Sequence, residues 1–152
     1  MNDFQEIPAS KSSLSRRKPV FGVGINDAPY TTSKITNGKR LRCPFYQKWI
    51  SMITRCYNPR YINYKDCTVC AEWLMFTSFK KWMENQDWRN KDLDKDIKNL
   101  GNKIYSPDNC LFIPHSINTL LCEGSTGGGI LPIGVKKCGS AYQSRINIYG
   151  KE

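Results

Sequence analysis

The sequence contains no apolar run that approaches the length of a membrane-spanning helix. Its opening residues, MNDFQEIPASKSSLSRRK, also lack the apolar stretch of a secretory signal peptide. We therefore expect no membrane partner and a cytoplasmic location. The seven cysteines, an odd number at irregular spacing, are then expected to be reduced thiols rather than disulfides.

Acidic residues are scarce relative to basic ones. Lys and Arg number 23 against 13 Asp and Glu, which gives a formal net charge of +10 over 152 residues. Solubility alone does not require so one-sided a balance, whereas a polyanionic partner would favour it. Nucleic acid is therefore the first candidate partner.

Complete metal and nucleotide motifs are also missing. Cys67-Thr-Val-Cys70 has the spacing of a zinc knuckle, but no second such pair exists, and Cys110 and Cys122 would have to complete the site at irregular spacing. We therefore do not expect zinc. The Gly-Val-Gly at 22–24 lacks the third glycine and the strand–helix frame of a dinucleotide-binding loop.

Turn formers divide the first part of the chain. Residues 1–19, rich in Ser and basic residues, are expected to form a flexible arm. The Asn37-Gly38 pair predicts a hairpin turn. A helix is predicted over 44–57, because Pro44 can open it and Asn58-Pro59 stops it. Its apolar face, at helical spacing, consists of Phe45, Trp49, Met52, Ile53 and Cys56.

The rest of the chain predicts an α+β protein. A second amphipathic helix is expected over 71–85. Strands over 93–97 and 110–113 are followed by a helix that begins at Pro114, so this section is a small ββα unit. A glycine-rich linker then leads to a C-terminal hairpin with strands at 133–137 and 141–149.

Two motifs carry a family resemblance. The stretches YQKWISMITRCYNP and YKDCTVCAEWLMFTSFKKW fit the pattern W-x-x-M-x-x-R-C-Y…Y…V-C-x-x-W-x-x-F…F. The later stretch LDKDIKNLGNKIYSPDNCLFIPHSIN resembles L-D-(K/R)-x…G-N-x-Y-S-P-x-N-C-x-(F/W), with two residues instead of one between Asn102 and Tyr105. Together they cover about half of the chain, and they resemble a family of phage-encoded HNH-type proteins, also called ββα-metal proteins.

The tail GILPIGVKKCGSAYQSRINIYGKE is similar to the opening hairpin of the APETALA-type DNA-binding domain. That domain normally continues with a third strand and a helix, so we expect only its start here. With the flexible basic arm at 1–19, the resemblances imply an HNH-like domain at 20–122 and the linker with its hairpin at 123–152.

The HNH resemblance implies a site for phosphodiester hydrolysis by one metal ion and a general base. Asp94 stands at the position of the first-strand metal ligand and Lys95 at the position of the base histidine. Asn109 occupies the loop position that steadies the strand. Asn118 occupies the helix position that completes the metal site, so Mg²⁺ would lie between Asp94 and Asn118.

The departure from the family pattern is Lys95, because a charged lysine beside two carboxylates does not accept a proton. Asp96 could act as the base or as a second ligand, since residues two apart on a strand share a face. His115 is the only histidine, and it does not fall at the base position. We expect it to be a surface histidine at the start of a helix. Nuclease activity is therefore expected to be weak or lost.

Basic residues form three clusters that could follow a DNA backbone. They are Arg16, Arg17 and Lys18, then Lys39, Arg40 and Arg42, and finally Lys136, Lys137 and Arg145. We expect a phage or mobile-element protein that binds double-stranded DNA. The alternative is a phage effector that binds and inhibits a host protein without cleaving DNA.

Overall fold

A computed structural model of the protein describes residues 4–36, 38–123 and 135–144, which form an α+β fold. The helices are α1 (Lys11–Ser15), α2 (Pro44–Tyr57), α3 (Phe76–Glu84) and α4 (His115–Glu123), with 3₁₀ turns at Ile62–Tyr64 and Ala71–Leu74. The strands are β1 (Ser33–Thr36), β2 (Lys39–Arg42), β3 (Thr68–Val69), β4 (Lys91–Asp94), β5 (Ile104–Tyr105), β6 (Leu111–Pro114), β7 (Val135–Cys138) and β8 (Ala141–Ser144). Among the described helices, none is long and apolar enough to cross a membrane.

Helix α2 and the first hairpin lie where the sequence predicts them. Helix α2 begins at Pro44, ends at Tyr57, and buries four of the five predicted apolar residues, while Phe45 is partly buried. Strands β1 and β2 pair antiparallel. Gly38 between them has φ +71°, a conformation that glycine adopts without strain.

The predicted helix over 71–85 is wrong as a single element. A 3₁₀ turn ends at Leu74, and α3 starts at Phe76. Met75 between them is extended because it forms a bridge with Ile25. Ile25 donates its N–H to the Leu74 carbonyl at 2.8 Å and accepts the N–H of Phe76 at 3.0 Å. A tertiary contact therefore overrides the local periodicity.

Aromatic side chains dominate the core between α2 and α3. Trp49, Trp73, Phe76 and Phe79 are all fully buried, and the Trp49 and Phe76 ring centroids lie 5.6 Å apart. The Trp49 indole N–H donates to the Trp73 carbonyl at 2.7 Å, so burial leaves this donor satisfied. The core thus joins the helices through a few large side chains.

The prediction of a flexible arm over 1–19 is wrong for residues 7–17. Pro8 bridges Tyr30, and Ala9 donates its N–H to the Pro29 carbonyl at 2.9 Å. The Arg17 guanidinium donates to the carbonyls of Asn26, Ala28 and Tyr30 at 2.9, 2.5 and 2.6 Å. The segment is docked because Arg17 satisfies three carbonyls at once.

The later part of the chain forms a strand pair followed by a helix. Strand β4 pairs antiparallel with β6, with Lys91 opposite Pro114 and Asp94 opposite Leu111. Helix α4 follows β6 directly and contacts both strands. The predicted strand over 93–97 is wrong in its bounds, because β4 starts two residues earlier and ends at Asp94.

The C-terminal hairpin is present as β7 and β8, which pair antiparallel around Gly139 at φ +61°. Its predicted turn and the described parts of its strands are confirmed. The predicted continuations at 133–134 and 145–149 lie outside the described residues.

Candidate functional site

Asp94 closes a turn at the end of β4. Its Oδ1 accepts the backbone N–H of Asp96 at 2.9 Å and that of Ile97 at 2.8 Å. These two hydrogen bonds stabilise a turn that ends the strand. The expectation that Asp94 and Asp96 share one strand face is therefore wrong, because Asp96 lies in the turn.

Lys95, at the position of the expected base, is an ion-pair partner. Its side chain is 7% exposed, and its Nζ lies 2.7 Å from both carboxylate oxygens of Asp96. The ammonium also lies 5.8 Å from the centre of the Tyr105 ring. Both candidate substitutes for the base, Lys95 and Asp96, are thus engaged with each other.

Asn109 makes hydrogen bonds within the segment between β4 and β6. Its Nδ2 donates to the Asn102 Oδ1 and the Ile104 carbonyl, both at 3.3 Å. Asn102 in turn donates to the carbonyl of Lys95 at 3.0 Å. The link from the loop to the residue after β4 is therefore made by Asn102, which we did not single out although it belongs to the Gly101-Asn102 pair of the second motif.

Two polar side chains near the start of α4 contact Asp92. The His115 Nδ1 lies 2.6 Å from the Asp92 Oδ2, and the Asn118 amide donates to the same oxygen at 3.4 Å. Asp92 was missed from the sequence, although it lies two residues before Asp94 in an alternating strand. Asn118, which was expected to share a metal ion with Asp94, donates its amide to Asp92.

Lys48 completes this group from α2. Its Nζ donates to the carbonyl of Lys91 at 2.6 Å and lies 3.6 Å from the Asp92 Oδ1. Burial raises the pKa of Asp92, but hydrogen bonds from His115 and Asn118 and the charge of Lys48 outweigh it, so that the pKa of this carboxyl is lowered overall. Asp92 is thus a charged carboxylate between two basic side chains.

The two residues expected to hold magnesium make separate contacts. One oxygen of Asp94 accepts two backbone N–H groups, and the Asn118 amide donates to Asp92 instead. Among the described residues, no group of three or more His, Cys, Asp or Glu is placed to hold a metal.

The cysteines considered for zinc are largely buried thiols. Cys67 and Cys110 are buried and Cys70 is half-buried, while the side chain of Cys122 lies outside the described part of the chain. Burial raises the pKa of Cys110 to about 12 and also raises that of Cys70. These two thiols therefore stay protonated at neutral pH.

A basic cleft of about 510 Å³ adjoins Lys48. Arg40 and Arg42, two residues apart on β2, both line it, as side chains on one face of a strand do. Arg42 donates to the Gln47 side chain at 3.0 Å. The cleft is lined by Arg40, Leu41, Arg42, Pro44, Gln47, Lys48 and Trp88.

The other basic residues predicted to bind DNA differ in their environments. The Arg17 guanidinium donates to backbone carbonyls. Arg16 and Lys18 are exposed, and Arg16 donates to the Ser12 carbonyl at 3.0 Å. Lys39 is exposed on β2. Lys136 and Lys137 lie on β7, with side chains that are not described, and Arg145 lies outside the described residues.

No known protein family model, curated protein or solved structure matches this chain. The resemblance to HNH-type proteins therefore stays a prediction. What the chain does has to be inferred from two neighbouring features that share Lys48. They are the basic cleft and the cluster of Asp92, His115 and Asn118.

Proposed function

We propose that this protein binds double-stranded DNA through the basic cleft. The observation that carries the proposal is the convergence of Arg40, Arg42 and Lys48 from two elements on one concave surface. When positive side chains contact DNA phosphates, the cations that surround the DNA are released, and this release drives association. The net charge of +10 acts in the same direction by attracting DNA over longer distances.

Two of the three cations are held in position before DNA arrives. Arg42 donates a hydrogen bond to the Gln47 side chain at 3.0 Å, and Lys48 donates one to the Lys91 carbonyl at 2.6 Å. Side chains ordered in advance lose less conformational entropy on binding. Trp88 supports one wall, since its ring packs 5.0 Å from that of Phe45.

We further propose descent from phage or mobile-element HNH-type proteins. The antiparallel pair of β4 and β6, the helix α4 that follows β6, and the YSPDNC motif support this part of the proposal. On this proposal the chain acts in the cytoplasm of a host cell, where phage DNA and host DNA are accessible. Magnesium-dependent cleavage through Asp94 and Asn118 is not part of this proposal.

The test is fluorescence anisotropy with a labelled DNA duplex over a range of salt concentrations. We expect the logarithm of the binding constant to fall linearly with the logarithm of salt concentration. Arg40→Met should weaken binding and make that slope shallower by about 0.9. Lys65→Met removes an exposed lysine that does not line the cleft, and it should leave the slope unchanged.

Equal slopes for the two variants would contradict the cleft as the DNA site, and an absence of salt-sensitive binding would contradict DNA binding itself. The second result would favour a phage effector that binds a host protein. One observation supports that candidate: Ile97, Leu100 and Ile104, all before β6, are exposed apolar side chains. Leu100→Ser should then weaken capture of the host protein.

A further inference from the structure

We propose that the basic cleft binds an unpaired nucleotide of DNA, with the base stacked on Trp88 and the phosphates on the cations of the cleft. This inference rests on the proposed DNA binding, and it names the part of the DNA that enters the cleft. The cations are Arg40, Arg42 and Lys48, which line the cleft together with the indole ring. The favoured ligand is therefore a duplex in which a segment of one strand is single-stranded.

The size of the cleft favours a single strand over a duplex. Its volume of about 510 Å³ lies in the range of sites that enclose small molecules. A B-form duplex, whose major groove alone is about 12 Å wide, is too wide to be enclosed by such a space and can only lie across its rim. A strand that has left its partner is narrower, so its nucleotides can enter one at a time.

The cleft combines cations with apolar surface. Leu41, Pro44 and Trp88 supply apolar side chains alongside the three cations. A nucleotide offers matching chemistry, because its base has a flat face for an aromatic ring and its phosphate carries negative charge. The bases of an intact duplex are already stacked on their neighbours and paired at their edges, so their faces are not available to Trp88. A surface that only follows phosphates would not require an aromatic wall.

The turn over residues 88–91 fixes Trp88 relative to Lys48. The Lys91 N–H donates to the Trp88 carbonyl at 3.2 Å, and Asn90 has φ +56°, a left-handed conformation in which asparagine is enriched. The Lys91 carbonyl accepts a hydrogen bond from the Lys48 Nζ at 2.6 Å. One turn therefore positions both the aromatic wall and a cation before DNA arrives, which lowers the entropy lost on binding.

The Trp88 ring is supported by neighbours without belonging to the closed core. Trp49 and Trp73 are fully buried, whereas Trp88 is half-buried. Phe45 packs against it at a tilt of 57°, with the ring centroids 5.0 Å apart. The guanidinium of Arg89, an exposed residue, lies 5.1 Å from the ring centre. A base can replace this exposed guanidinium over the ring, and Arg89 would then be placed to contact a neighbouring phosphate.

The main experiment compares two DNA probes by fluorescence anisotropy at one salt concentration. One probe is a blunt duplex, and the other is a duplex with a single-stranded overhang and the same number of phosphates. We expect the full chain to bind the overhang probe about 5–150-fold more tightly, since stacking of one base on an aromatic ring contributes a factor of that size. Trp88→Leu should remove this preference, whereas Arg40→Met should weaken binding of both probes.

Two control variants separate stacking from a general effect on structure. Trp88→Phe keeps an aromatic ring and should retain part of the preference. Tyr61→Leu removes an exposed aromatic side chain that does not line the cleft, and it should leave the preference unchanged. The comparison of the two probes by the wild type does not depend on the folding of any variant.

Free deoxynucleoside monophosphates, added as competitors, distinguish a site for a DNA strand from a site for small nucleotides. A free nucleotide offers the same base and phosphate chemistry but cannot place further phosphates on the other cations. We therefore expect competition only at concentrations at least about 100-fold above the Kd of the overhang probe, a difference equal to two or more lost charge-assisted contacts.

A second measurement reports stacking directly. The fluorescent base 2-aminopurine, placed in the overhang, loses emission when its ring stacks on an aromatic side chain. At saturating protein concentration the wild type and Tyr61→Leu should quench this emission, and Trp88→Leu should not.

Equal affinity of the wild type for the two probes would overturn this inference and leave the proposed DNA binding intact. A preference and a quenching signal that both survive Trp88→Leu would do the same, as would free nucleotides that bind as tightly as the overhang probe. Loss of salt-sensitive binding to every probe would instead remove the proposed function as well.

Discussion

The ammonium group of Lys95 lies 2.7 Å from both carboxylate oxygens of Asp96, and only 7% of the Lys95 side chain is exposed. A lysine in this position is a structural partner of its neighbour. Removing Asp96 leaves the buried charge of Lys95 without a partner, whereas replacing Lys95 with an uncharged side chain removes that charge. The loss of Asp96 should therefore cost more free energy of unfolding than the loss of the Lys95 charge.

Asp96→Ala should therefore destabilise the protein by about 1–3 kcal/mol, a range reduced because Asp96 is half-exposed. Lys95→Met keeps most of the buried volume and should cost less, roughly 1 kcal/mol. Urea unfolding measures both, with Lys103→Met as the control for removal of an exposed lysine from the same loop. A larger cost for Lys95→Met than for Asp96→Ala would contradict this account of the pair.

Arg17 and Arg16 are adjacent but should behave differently. Arg17→Met leaves the carbonyls of Asn26, Ala28 and Tyr30 without their donor and should cost about 2–3 kcal/mol of unfolding free energy. Arg16→Met loses one exposed contact within α1 and should change stability by no more than about 0.5 kcal/mol. Thermal unfolding distinguishes them, and similar melting temperatures would show that the N-terminal segment is not docked through Arg17.

Asp27 caps α3 from outside that helix. It accepts the backbone N–H of Thr77 at 2.8 Å and also pairs with the Thr77 hydroxyl. No side chain caps the helix locally, so Asp27→Ala should cost about 1–2 kcal/mol. Asp66→Ala, at an exposed position, is the control. Hydrogen exchange in α3 should increase for Asp27→Ala alone, and unchanged exchange would contradict the capping role.

Gly24 is a site of close packing. A Cβ there would lie 3.0 Å from the Cη2 of Trp49 and 3.4 Å from the Cγ1 of Ile53. Trp49 cannot yield easily because it is fully buried and its indole N–H is bonded to the Trp73 carbonyl. Gly24→Ala should therefore destabilise the protein by about 1–3 kcal/mol. An unchanged urea midpoint would mean that the core around Trp49 can rearrange freely.

Lys80 should make stability depend on pH at alkaline values. Burial lowers the pKa of Lys80, but hydrogen bonds and charge from Glu6 and Glu84 outweigh it and raise the pKa overall. A pKa that is raised in the folded state contributes stability that is fully present below the unfolded value, about 10.4, and is lost as pH rises through the folded value. The groups that face the ammonium are Glu6, Glu84 and the rings of Tyr30 and Phe45.

The expected result is that the difference in unfolding free energy between the wild type and Lys80→Met is constant up to about pH 10 and shrinks above it. Denaturant unfolding between neutral and alkaline pH measures this difference. Glu6→Gln should reduce the difference at neutral pH, and a difference that grows with pH would contradict the sign of the shift.

Several elements were predictable because their determinants are local. Pro44 and Asn58-Pro59 bracket α2, and the spacing of its apolar residues identifies the face that is buried. Asn37-Gly38 identifies the β1–β2 turn, because glycine tolerates the left-handed backbone found at Gly38. After residue 90 the sequence predicted two strands and a helix but not β5, which lies between the two strands and pairs with β3.

The candidate site was only partly predictable. Asn109 lies in the loop network and Arg40 and Arg42 line the cleft, as the motifs and charges indicated. Asp94 was expected to face Asn118, but it is used by the backbone of the turn that follows it. Alternation along a strand shows which residues share a face, but it does not show where the strand ends.

By itself the sequence determined the α+β class, helix α2, the hairpin turns and the excess of positive charge, because each depends on residues close together in the chain or on composition. Only the tertiary structure decided that His115 and Asn118 meet Asp92, and that Arg17 holds carbonyls rather than facing solvent. These pairings join residues 23, 26 and 11 positions apart. They depend on strand register and on how segments dock, which no local pattern of residues specifies.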